Sequence, residues 1–182
     1  YEYIRLLKEC KPKYFLLENV RMKKEWEQII TDMTGVKPIE INSNLVSAQN
    51  RRRMYWTNIP VTTKPLDKGI VLRDIWNGGE DITERVKKKP LGTSTYRNTW
   101  KNMVTLNDKS KCLTASGQNI SNASCTNIHI NGRYYKLTPV ECERLQNVPD
   151  NYTEGVSNTQ RYKMLGNGWT IDVITHLLKG IM

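Results

Sequence analysis

The hydrophobic and polar positions of the first 60 residues alternate between helical and extended patterns. Residues 3–9 carry apolar side chains separated by charged ones, which predicts a helix that ends before Pro12. Residues 14–17 form a short, continuous apolar run that is typical of a strand buried on both faces. Residues 23–34 place apolar side chains at helical spacing, and Gly35 is a suitable C-terminal cap for that helix.

Two more strands are predicted at residues 36–41 and 53–58, on either side of a polar crossing. The order strand, helix, strand is typical of a parallel sheet. Glu18 and Asn19 follow the first predicted strand directly, and open α/β sheets bind their ligands at the carboxyl ends of strands. The pattern therefore predicts part of an α/β domain with a candidate functional residue at Glu18.

The pattern changes after Pro60. Residues 61–132 are rich in Asn, Ser, Thr, Lys and Gly, which favours short strands and long loops, with one short helix near residues 71–76. They still contain enough apolar side chains for a small core. This segment is therefore predicted to be a small folded region rather than a linker.

The C-terminal part returns to helical patterns. Thr138 can cap a helix, Pro139 is favoured at its first position, and Glu141 can complete a capping box. This helix is predicted to end near Gln146. A final helix, apolar over much of its circumference, is predicted after Gly168.

The chain has 182 residues, a net charge of +10 and an isoelectric point near 9.5. This charge favours a polyanionic partner such as nucleic acid, although a basic surface that binds nothing explains it equally well. No run approaches the ~20 apolar residues of a membrane-spanning helix, and nothing resembles a signal peptide. The sequence therefore predicts a cytoplasmic protein with no membrane partner.

Four cysteines and two histidines are the residues that a metal site would use most readily. None has the spacing of a zinc ligand set, which predicts no metal site. Reduced structural thiols are the expected state of such cysteines in a cytoplasmic protein. The residues concerned are Cys10, Cys112, Cys125, Cys142, His129 and His176.

Four sequence blocks carry the strongest functional signal. Glu-Asn-Val stands at residues 18–20, and Gln-x-Arg-x-Arg stands at residues 49–53. Residues 136–152 contain Leu-Thr-Pro-x-Glu-x-x-Arg-Leu-Gln followed by Pro-Asp-x-Tyr, and residues 166–169 read Gly-Asn-Gly-Trp. In this order and at these separations, the blocks resemble the C-terminal half of DNA cytosine-5 methyltransferases.

The resemblance implies a catalytic role for three residues. In that family a cysteine thiolate adds to carbon 6 of a cytosine that has left the duplex stack, and a carboxyl group beside ring nitrogen 3 stabilises the intermediate. Glu18 matches that carboxyl group. Arg53 matches the residue at the base oxygen, and Arg51 matches a phosphate-side or supporting residue. We expect Arg51 and Arg53 to share a face, since they are two positions apart on an extended segment.

Each of these residues also has a plainer interpretation. Glu18 alone is more typical of a strand-end carboxylate in a surface ion pair. Three consecutive arginines are often a solvated turn, and Arg52, on the opposite face from its neighbours, fits that description. The additional matching blocks favour the catalytic interpretation.

The resemblance also implies a site for S-adenosylmethionine. Residues Gly166, Asn167, Gly168 and Trp169 match the last family motif, which helps to close the cofactor pocket, and a Gly-Asn-Gly turn lets backbone approach a ligand. Trp169 stands where Val is usual, a feature of the de novo subgroup of these enzymes and its relatives.

The block at residues 136–152 is the most specific match, and its implied role is chiefly structural. Asn147 and Val148 stand where Gly-Phe is usual. Arg144 is expected to be a buried ion-pair residue rather than a catalyst.

Residues 61–132 occupy the place of the family's target-recognition region. Small and amide side chains near residues 111–118 suit contacts with base edges, whereas lysines and arginines suit phosphates. Lys101, Lys109 and the lysine run at residues 87–89 are additional candidates. The residues predicted to contact DNA are Gln49, Arg52, Arg97, Lys111, Thr114, Ser116 and Gln118.

The sequence thus predicts an α/β protein: the C-terminal portion of a Rossmann-like S-adenosylmethionine-dependent methyltransferase domain plus a small mixed target-recognition domain. We expect a partial catalytic domain at residues 1–60, the recognition domain at 61–155, and a helix at 156–182 that returns to the first domain. The expected partners are double-stranded DNA and an N-terminal half, upstream of residue 1, that supplies the nucleophile and most of the cofactor site. The chain alone is expected to be inactive.

Two alternatives stay open. The chain could be a non-catalytic DNA-binding or partner subunit, either one half of a split enzyme or a degenerate regulatory homologue. Glu18, Arg51 and Arg53 argue against degeneracy, because a module that only binds has no need for a flipped-base pocket. It could instead belong to a tRNA cytosine-5 methyltransferase. The long recognition region favours DNA, by analogy.

Overall fold

A computed structural model describes residues 1–61, 63–88, 103–118 and 125–181. The backbone forms two compact units. Unit 1 comprises Tyr1–Asn42, Arg52–Pro65 and Ile174–Met182, and unit 2 comprises Ser43–Arg51 and Leu66–Val173. The functional boundaries expected from the sequence, at residues 60 and 155, stay a prediction.

Unit 1 contains a three-stranded sheet whose central strand is the last in sequence. The elements in chain order are α1 (Glu2–Cys10), β1 (Leu16–Asn19), α2 (Lys24–Thr34), β2 (Ile39–Asn42) and β3 (Arg52–Thr57). β3 lies between β1 and β2 and is antiparallel to both. The expectation of parallel neighbours is therefore wrong here. β1 and β2 do run in the same direction, as a strand–helix–strand pattern requires, but β3 separates them.

The elements of unit 1 form largely where the sequence places them. Gly35 ends α2 in the left-handed conformation, with φ 72°, so its predicted capping role is confirmed. Trp56 on the central strand is fully buried, and its indole nitrogen donates to the Thr31 hydroxyl of α2 at 3.0 Å. β1 is half-buried along its length rather than buried on both faces, because it lies at an edge of the sheet.

Unit 2 contains a four-stranded sheet of short strands, in the order β4 (Glu80–Asp81), β7 (Arg133–Lys136), β6 (Asn127–Ile130) and β5 (Met103–Val104). Its β6–β7 hairpin turns at Asn131 and Gly132, both with positive φ. This hairpin was not predicted, although Asn-Gly is the preferred sequence for such two-residue turns. The elements are α3 (Leu72–Ile75), β4 (Glu80–Asp81), α4 (Thr83–Lys87), β5 (Met103–Val104), β6 (Asn127–Ile130) and β7 (Arg133–Lys136).

Three helices follow: α5 (Pro139–Leu145), α6 (Asn158–Asn167) and α7 (Ile171–Leu178). The predicted capping box of α5 is confirmed, since Thr138 and Glu141 satisfy each other's backbone N–H groups. The α7 helix begins after Gly168 as predicted. The α6 helix was not predicted, because residues 158–167 lack an apolar stripe.

The core of unit 2 joins α3, α5, α6 and the sheet. Several of its buried apolar side chains belong to the segments that carry the motifs, so core packing holds the backbone of those segments in place. Its buried members are Ala48, Leu72, Ile75, Leu113, Ile128, Leu137, Cys142, Leu145 and Leu165. Within the described residues, no helix is long and apolar enough to cross a membrane.

Candidate active site

Glu18 and Arg53 form an ion pair in unit 1. The Nε atom of Arg53 lies 2.8 Å from a carboxylate oxygen of Glu18, and the side chains are 13% and 17% exposed respectively. Glu18 lies opposite Tyr55 in the sheet register, so Arg53, two residues earlier, is its diagonal neighbour on the same face. The structure thus brings together two of the three residues predicted to be catalytic.

The surroundings of this pair hold it at the end of β1. Arg53 donates from Nη1 to the carbonyl of Arg52 at 2.8 Å. The Asn19 side chain accepts from the N–H of Val20 at 2.8 Å, which fixes the chain as it leaves the strand. Arg52 itself is exposed, and its predicted contact with DNA stays a prediction.

Arg51 has a different environment, in the interior of unit 2. The residue is only 4% exposed. Nη1 donates to the carbonyl of Leu113 at 2.9 Å, and Nη2 donates to the carbonyls of Gly168 at 2.8 Å and Gly166 at 3.3 Å. The strand β3 begins only at Arg52, so the alternation that was expected to place Arg51 and Arg53 on one face does not extend to Arg51.

These contacts cap the C-terminal end of α6. The last carbonyls of a helix have no partner within the helix, and the helix end carries partial negative charge. Here Gln146 donates to the carbonyl of Leu165 at 2.6 Å, and Arg51 donates to that of Gly166. Gly168, with φ −73°, is not left-handed, so side chains rather than a left-handed glycine satisfy this end.

Gly166 serves the protein's own packing. A Cβ atom at this position would lie 2.1 Å from the carbonyl carbon of Thr114 and 2.5 Å from the N atom of Ala115. Gly166 and Asn167 are the last two residues of α6, so the expected Gly-Asn-Gly turn is a helix end. The missing side chain of Gly166 admits the backbone of Thr114 rather than being open for a ligand.

The exposed members of residues 166–169, hereafter the cofactor segment, are Asn167 and Trp169. The Trp169 side chain is 44% exposed, which is unusual for tryptophan. The backbone beside these two residues is fixed by Arg51 and Gln146. The segment therefore presents two side chains from a held backbone, and the exposed Trp169 ring suits stacking of a planar group such as adenine.

Residues 111–118, hereafter the recognition segment, mix exposed and buried polar groups. The hydroxyls of Thr114 and Ser116 are 2.8 Å apart, and Ser116 is exposed. Gln118 is buried, and its side-chain oxygen accepts from the N–H of Thr126 at 3.3 Å. Lys111 is half-buried. Contacts of these residues with DNA stay predictions; among them Ser116 is exposed, Lys111 and Thr114 are half-buried, and Gln118 is buried.

The remaining residues predicted to contact DNA either are buried or lie outside the described residues. Gln49 is fully buried, donates to the carbonyl of Leu145 at 2.7 Å, and accepts from the N–H of Leu113 at 3.3 Å. This geometry gives Gln49 a structural role, and its DNA contact is without support. Arg97, Lys101 and Lys89 lie outside the described residues.

Lys109 is committed to backbone contacts. Its ammonium group donates to the carbonyls of Asn44 at 2.7 Å and Ser47 at 3.2 Å. These bonds tie it to the segment that precedes the Gln-x-Arg-x-Arg block. Because the ammonium group already bonds to these carbonyls, the structure does not support a contact between Lys109 and a DNA phosphate.

The block that begins with α5 supplies one member of a buried charge pair that the sequence did not reveal. Glu143 is fully buried and accepts from the Arg161 guanidinium at 2.9 Å, from Thr153, and from the N–H of Asn151 at 2.6 Å. Burial raises the pKa of Glu143, but the hydrogen bonds from Thr153 and Arg161 outweigh it and lower the pKa overall.

Arg144, expected to be the buried ion-pair residue, is only partly buried. It forms a two-pronged pair with Asp150, at 2.8 and 2.6 Å, and donates to the carbonyl of Ile75 at 3.0 Å. Glu141 instead is fully buried and accepts from the N–H groups of Asn77 and Gly79 as well as capping α5. The structural role predicted for this block is thus distributed over three charged side chains of α5.

The cysteines offer no evident nucleophile within the described residues. Burial, and next the charge of Glu141, raise the pKa of the Cys142 thiol well above its ordinary value, which disfavours the reactive thiolate. Cys125 is also buried, Cys10 is exposed at the end of α1, and Cys112 contacts Arg51. The described residues contain no cluster of side chains able to hold a metal ion.

Comparison with known proteins identifies the family. A sequence model described as C-5 cytosine-specific DNA methylase matches residues 25–182. The chain belongs to this family. Its fold is accordingly a mixed α/β methyltransferase fold with a C-5 methylase domain.

Individual relatives agree with this assignment. The chain is 28% identical over 214 aligned residues to the type II methyltransferase M1.ScrFI of Lactococcus lactis subsp. cremoris, covering 96% of the chain and 52% of the relative. It is 24% identical to the DNA (cytosine-5)-methyltransferase DRM2 of Oryza sativa subsp. japonica, covering 92% of the chain and 30% of the relative. The chain thus spans about half or less of the length of these relatives.

Solved structures show the same fold. The Entamoeba histolytica methyltransferase EhMeth superposes with a TM-score of 0.71 at 17% identity, covering 99% of the chain and 68% of EhMeth. The S. pombe Dnmt2 methyltransferase gives a TM-score of 0.64 at 16% identity, covering 93% and 66% of the two chains.

Proposed function

We propose that this chain is the base-holding and DNA-reading part of an S-adenosylmethionine-dependent DNA cytosine-5 methyltransferase. The observation that carries the proposal is the Glu18–Arg53 pair, with Nε and carboxylate oxygen 2.8 Å apart at the end of β1. Family membership and the relatives named as DNA methyltransferases support the reaction. The type II relative M1.ScrFI favours a restriction–modification setting.

The pair suits the chemistry of a cytosine ring edge. A flipped cytosine presents nitrogen 3 and an exocyclic amine on one side and an oxygen on the other, and proteins read such edges by hydrogen bonds. A carboxyl group of Glu18 would bind nitrogen 3 and the amine, while the Arg53 guanidinium would donate to the oxygen. Because the two groups already lie together and are mostly shielded from water, their orientation costs little when the base arrives.

Glu18 would also handle the charge that develops during reaction. When a thiolate adds to carbon 6, electron density moves toward nitrogen 3, and a proton shared with the Glu18 carboxyl group would stabilise it. Arg53 would hold Glu18 and the base oxygen in one plane. S-adenosylmethionine, when bound, would supply the methyl group at carbon 5 and leave as S-adenosylhomocysteine. Loss of the proton from carbon 5 and departure of the thiolate from carbon 6 would then restore the ring.

The cofactor segment would contribute one side of the cofactor site. Trp169 offers an exposed ring for stacking, and Asn167 offers an amide for hydrogen bonding. Their backbone is held in place by Arg51 and Gln146 before any ligand binds.

The thiolate and the rest of the cofactor site would come from additional polypeptide. The chain covers 52% of M1.ScrFI and 68% of EhMeth, so both contain substantial additional sequence. In unit 1, β1 lies at a sheet edge, and Trp26, Ile29 and Met33 of α2 form an exposed apolar stripe. We propose that an N-terminal part of the enzyme pairs with β1 and covers this stripe, completing a Rossmann-like sheet.

The test uses labelled S-adenosylmethionine and unmethylated duplex DNA. We expect the complete protein to form 5-methylcytosine and the 182-residue chain alone to give no incorporation above a blank. Methyl transfer by the chain alone would contradict the proposal that the nucleophile and the rest of the cofactor site lie on additional polypeptide.

The same assay also separates the open alternatives. Methylation of structured RNA instead of duplex DNA would favour the tRNA enzyme. Duplex binding without methyl transfer by the complete protein would favour a DNA-binding module.

A further inference from the structure

The guanidinium of Arg51 lies where two functional segments of unit 2 meet. One nitrogen donates to the carbonyl of Leu113, in the recognition segment, at 2.9 Å. The other donates to the carbonyl of Gly168, in the cofactor segment, at 2.8 Å. Both bonds are charge-assisted and shielded from water, which makes them stronger than neutral surface bonds.

Two buried glutamines connect the same segments. Gln49 accepts from the N–H of Leu113, and its own amide donates to the Gln146 side chain at 3.0 Å. Gln146 in turn donates to the carbonyls of Leu165 at 2.6 Å and Gly168 at 3.3 Å. The network therefore runs unbroken from the recognition segment to the cofactor segment.

The two segments also touch directly. The Cα of Gly166 faces the peptide group between Thr114 and Ala115 so closely that a Cβ atom would overlap it. With no side chain between the two backbones, a shift of one segment must displace the other. Arg51 bonds to both sides of this contact, through Leu113 and Gly166.

We propose that Arg51 is a positioning residue that locks the recognition and cofactor segments into one arrangement, so that binding of duplex DNA and of S-adenosylmethionine are coupled through it. The inference rests on the proposed function, which assigns those ligands to the segments. By linkage, each ligand then raises the affinity for the other by the same factor.

Arg51 is poorly placed for the phosphate contact implied by resemblance. To reach a phosphate, its guanidinium would have to leave carbonyls that lie in the interior of unit 2. Those carbonyls would then lose a charged donor in a buried setting, which opposes the movement.

The experiment measures the linkage factor by calorimetry. The affinity of the complete protein for S-adenosylhomocysteine, the product of the cofactor, is determined with and without saturating unmethylated duplex. We expect the wild-type protein to bind the cofactor product about tenfold more tightly with duplex present. Arg51→Lys keeps the charge but cannot reach carbonyls on both segments, so the factor should fall to about one.

Arg73→Lys is the matched control, because it makes the same change at an exposed position of α3 in the same unit. We expect it to keep the wild-type factor. If Arg51 had a purely structural role, Arg51→Lys would weaken the binding of both ligands without changing the linkage factor. An unchanged factor in Arg51→Lys therefore overturns the proposal while leaving the proposed function intact. Failure of the wild-type protein to bind either ligand defeats the proposed function itself.

A measurement on the wild-type protein covers the case in which Arg51→Lys does not fold. Hydrogen exchange is followed with S-adenosylhomocysteine alone. We expect slower exchange in the recognition segment as well as in the cofactor segment. Protection confined to the cofactor segment would overturn the proposal.

Discussion

Two arginines of one short motif have opposite environments. Arg53, in unit 1, pairs with the carboxylate of Glu18 at the end of an edge strand, where both side chains keep some exposure. Arg51, in unit 2, is buried and donates to backbone carbonyls. A carboxylate partner that reaches solvent can exchange its contacts for those of a ligand, whereas buried carbonyls cannot be released without cost.

Neighbouring positions of one motif can therefore differ in role: Arg53, proposed to contact the base, lies two residues from Arg51, whose contacts are structural. Polar groups of unit 2 that resemblance associated with DNA, such as Gln49 and Gln118, are likewise buried in hydrogen bonds. The pair in unit 1 joins two partly exposed charged groups that point at each other. Substitutions in unit 2 should therefore act mainly on stability, and substitutions of the pair mainly on turnover.

The largest effect on stability should come from Gly166→Ala. The new Cβ atom would overlap the Thr114 carbonyl, which is backbone and cannot rotate away, so we expect a loss of about 3 kcal/mol. The measurement is urea unfolding followed by circular dichroism. Gly168→Ala is the control: its Cβ would lie 3.3 Å from the nearest atom at an ordinary φ of −73°, so the loss should stay under about 1 kcal/mol. Equal losses would contradict the packing assigned to Gly166.

A comparison of Arg51→Lys with Arg53→Lys tests the contrast most directly at the level of stability. A lysine at 51 loses the forked contacts to separate carbonyls, and we expect a cost of about 2 kcal/mol. A lysine at 53 can still pair with the single Glu18 oxygen that Nε contacts, so its cost should be below about 1 kcal/mol. Thermal unfolding of both variants gives the order. A larger loss for Arg53→Lys would reverse the assignment of structural and ligand-facing roles.

The decrease of the unfolding free energy at acid pH should depend on Glu143. Because its pKa in the folded protein lies below the ordinary value of 4.5, its contribution is present above that value and is lost as pH falls through the folded pKa. Unfolding free energy measured from pH 6 downward should therefore decrease below about pH 4.5. In Glu143→Gln the decrease should be shallower, with the remainder due to Asp81, Asp108 and Asp150, whose pKa values are also lowered. An identical slope would show that Glu143 is not held as a carboxylate.

The smallest effect concerns Asn147, which stands where the family usually has glycine. Its φ of 56° is left-handed, which explains the family's preference, and its buried Oδ1 atom has no partner among the described residues. Asn147→Gly should therefore stabilise unit 2 slightly, by less than about 1 kcal/mol. Asn151→Gly, at a φ of 64° on an exposed residue, is the control without a buried acceptor. A stabilisation equal in both variants would assign the effect to backbone strain alone.

Much of the fold could be read from the sequence because the signals are local. The capping box at Thr138 and Glu141, the glycine cap at Gly35 and the strand ending at Asn19 all depend on residues close in sequence. The pairing of β3 between β1 and β2 could not be read, since a strand pattern gives direction and faces but not neighbours.

The sequence predicted the placement of site residues only where a chemically suitable side chain is also partly exposed. Glu18 and Arg53 meet as the resemblance implied. The buried positions of Gln49 and Arg51 depend on backbone carbonyls about 60 to 120 residues away along the chain, such as Leu113 and Gly168, and carbonyls have no sequence signature. The buried pair of Glu143 and Arg161 was also missed. Arg161 lies on α6, whose sequence has no periodic apolar pattern that would predict a helix there.

The central claim, that Glu18 and Arg53 hold the target base, is tested most directly by the kinetics of Glu18→Gln in the complete enzyme. The carboxamide keeps the shape of Glu18 but cannot share a proton with ring nitrogen 3. We predict that kcat/KM for methyl transfer to duplex DNA falls by roughly 10²- to 10⁴-fold, while the duplex Kd changes by less than about threefold. Unchanged turnover would remove Glu18 from the mechanism and contradict the account.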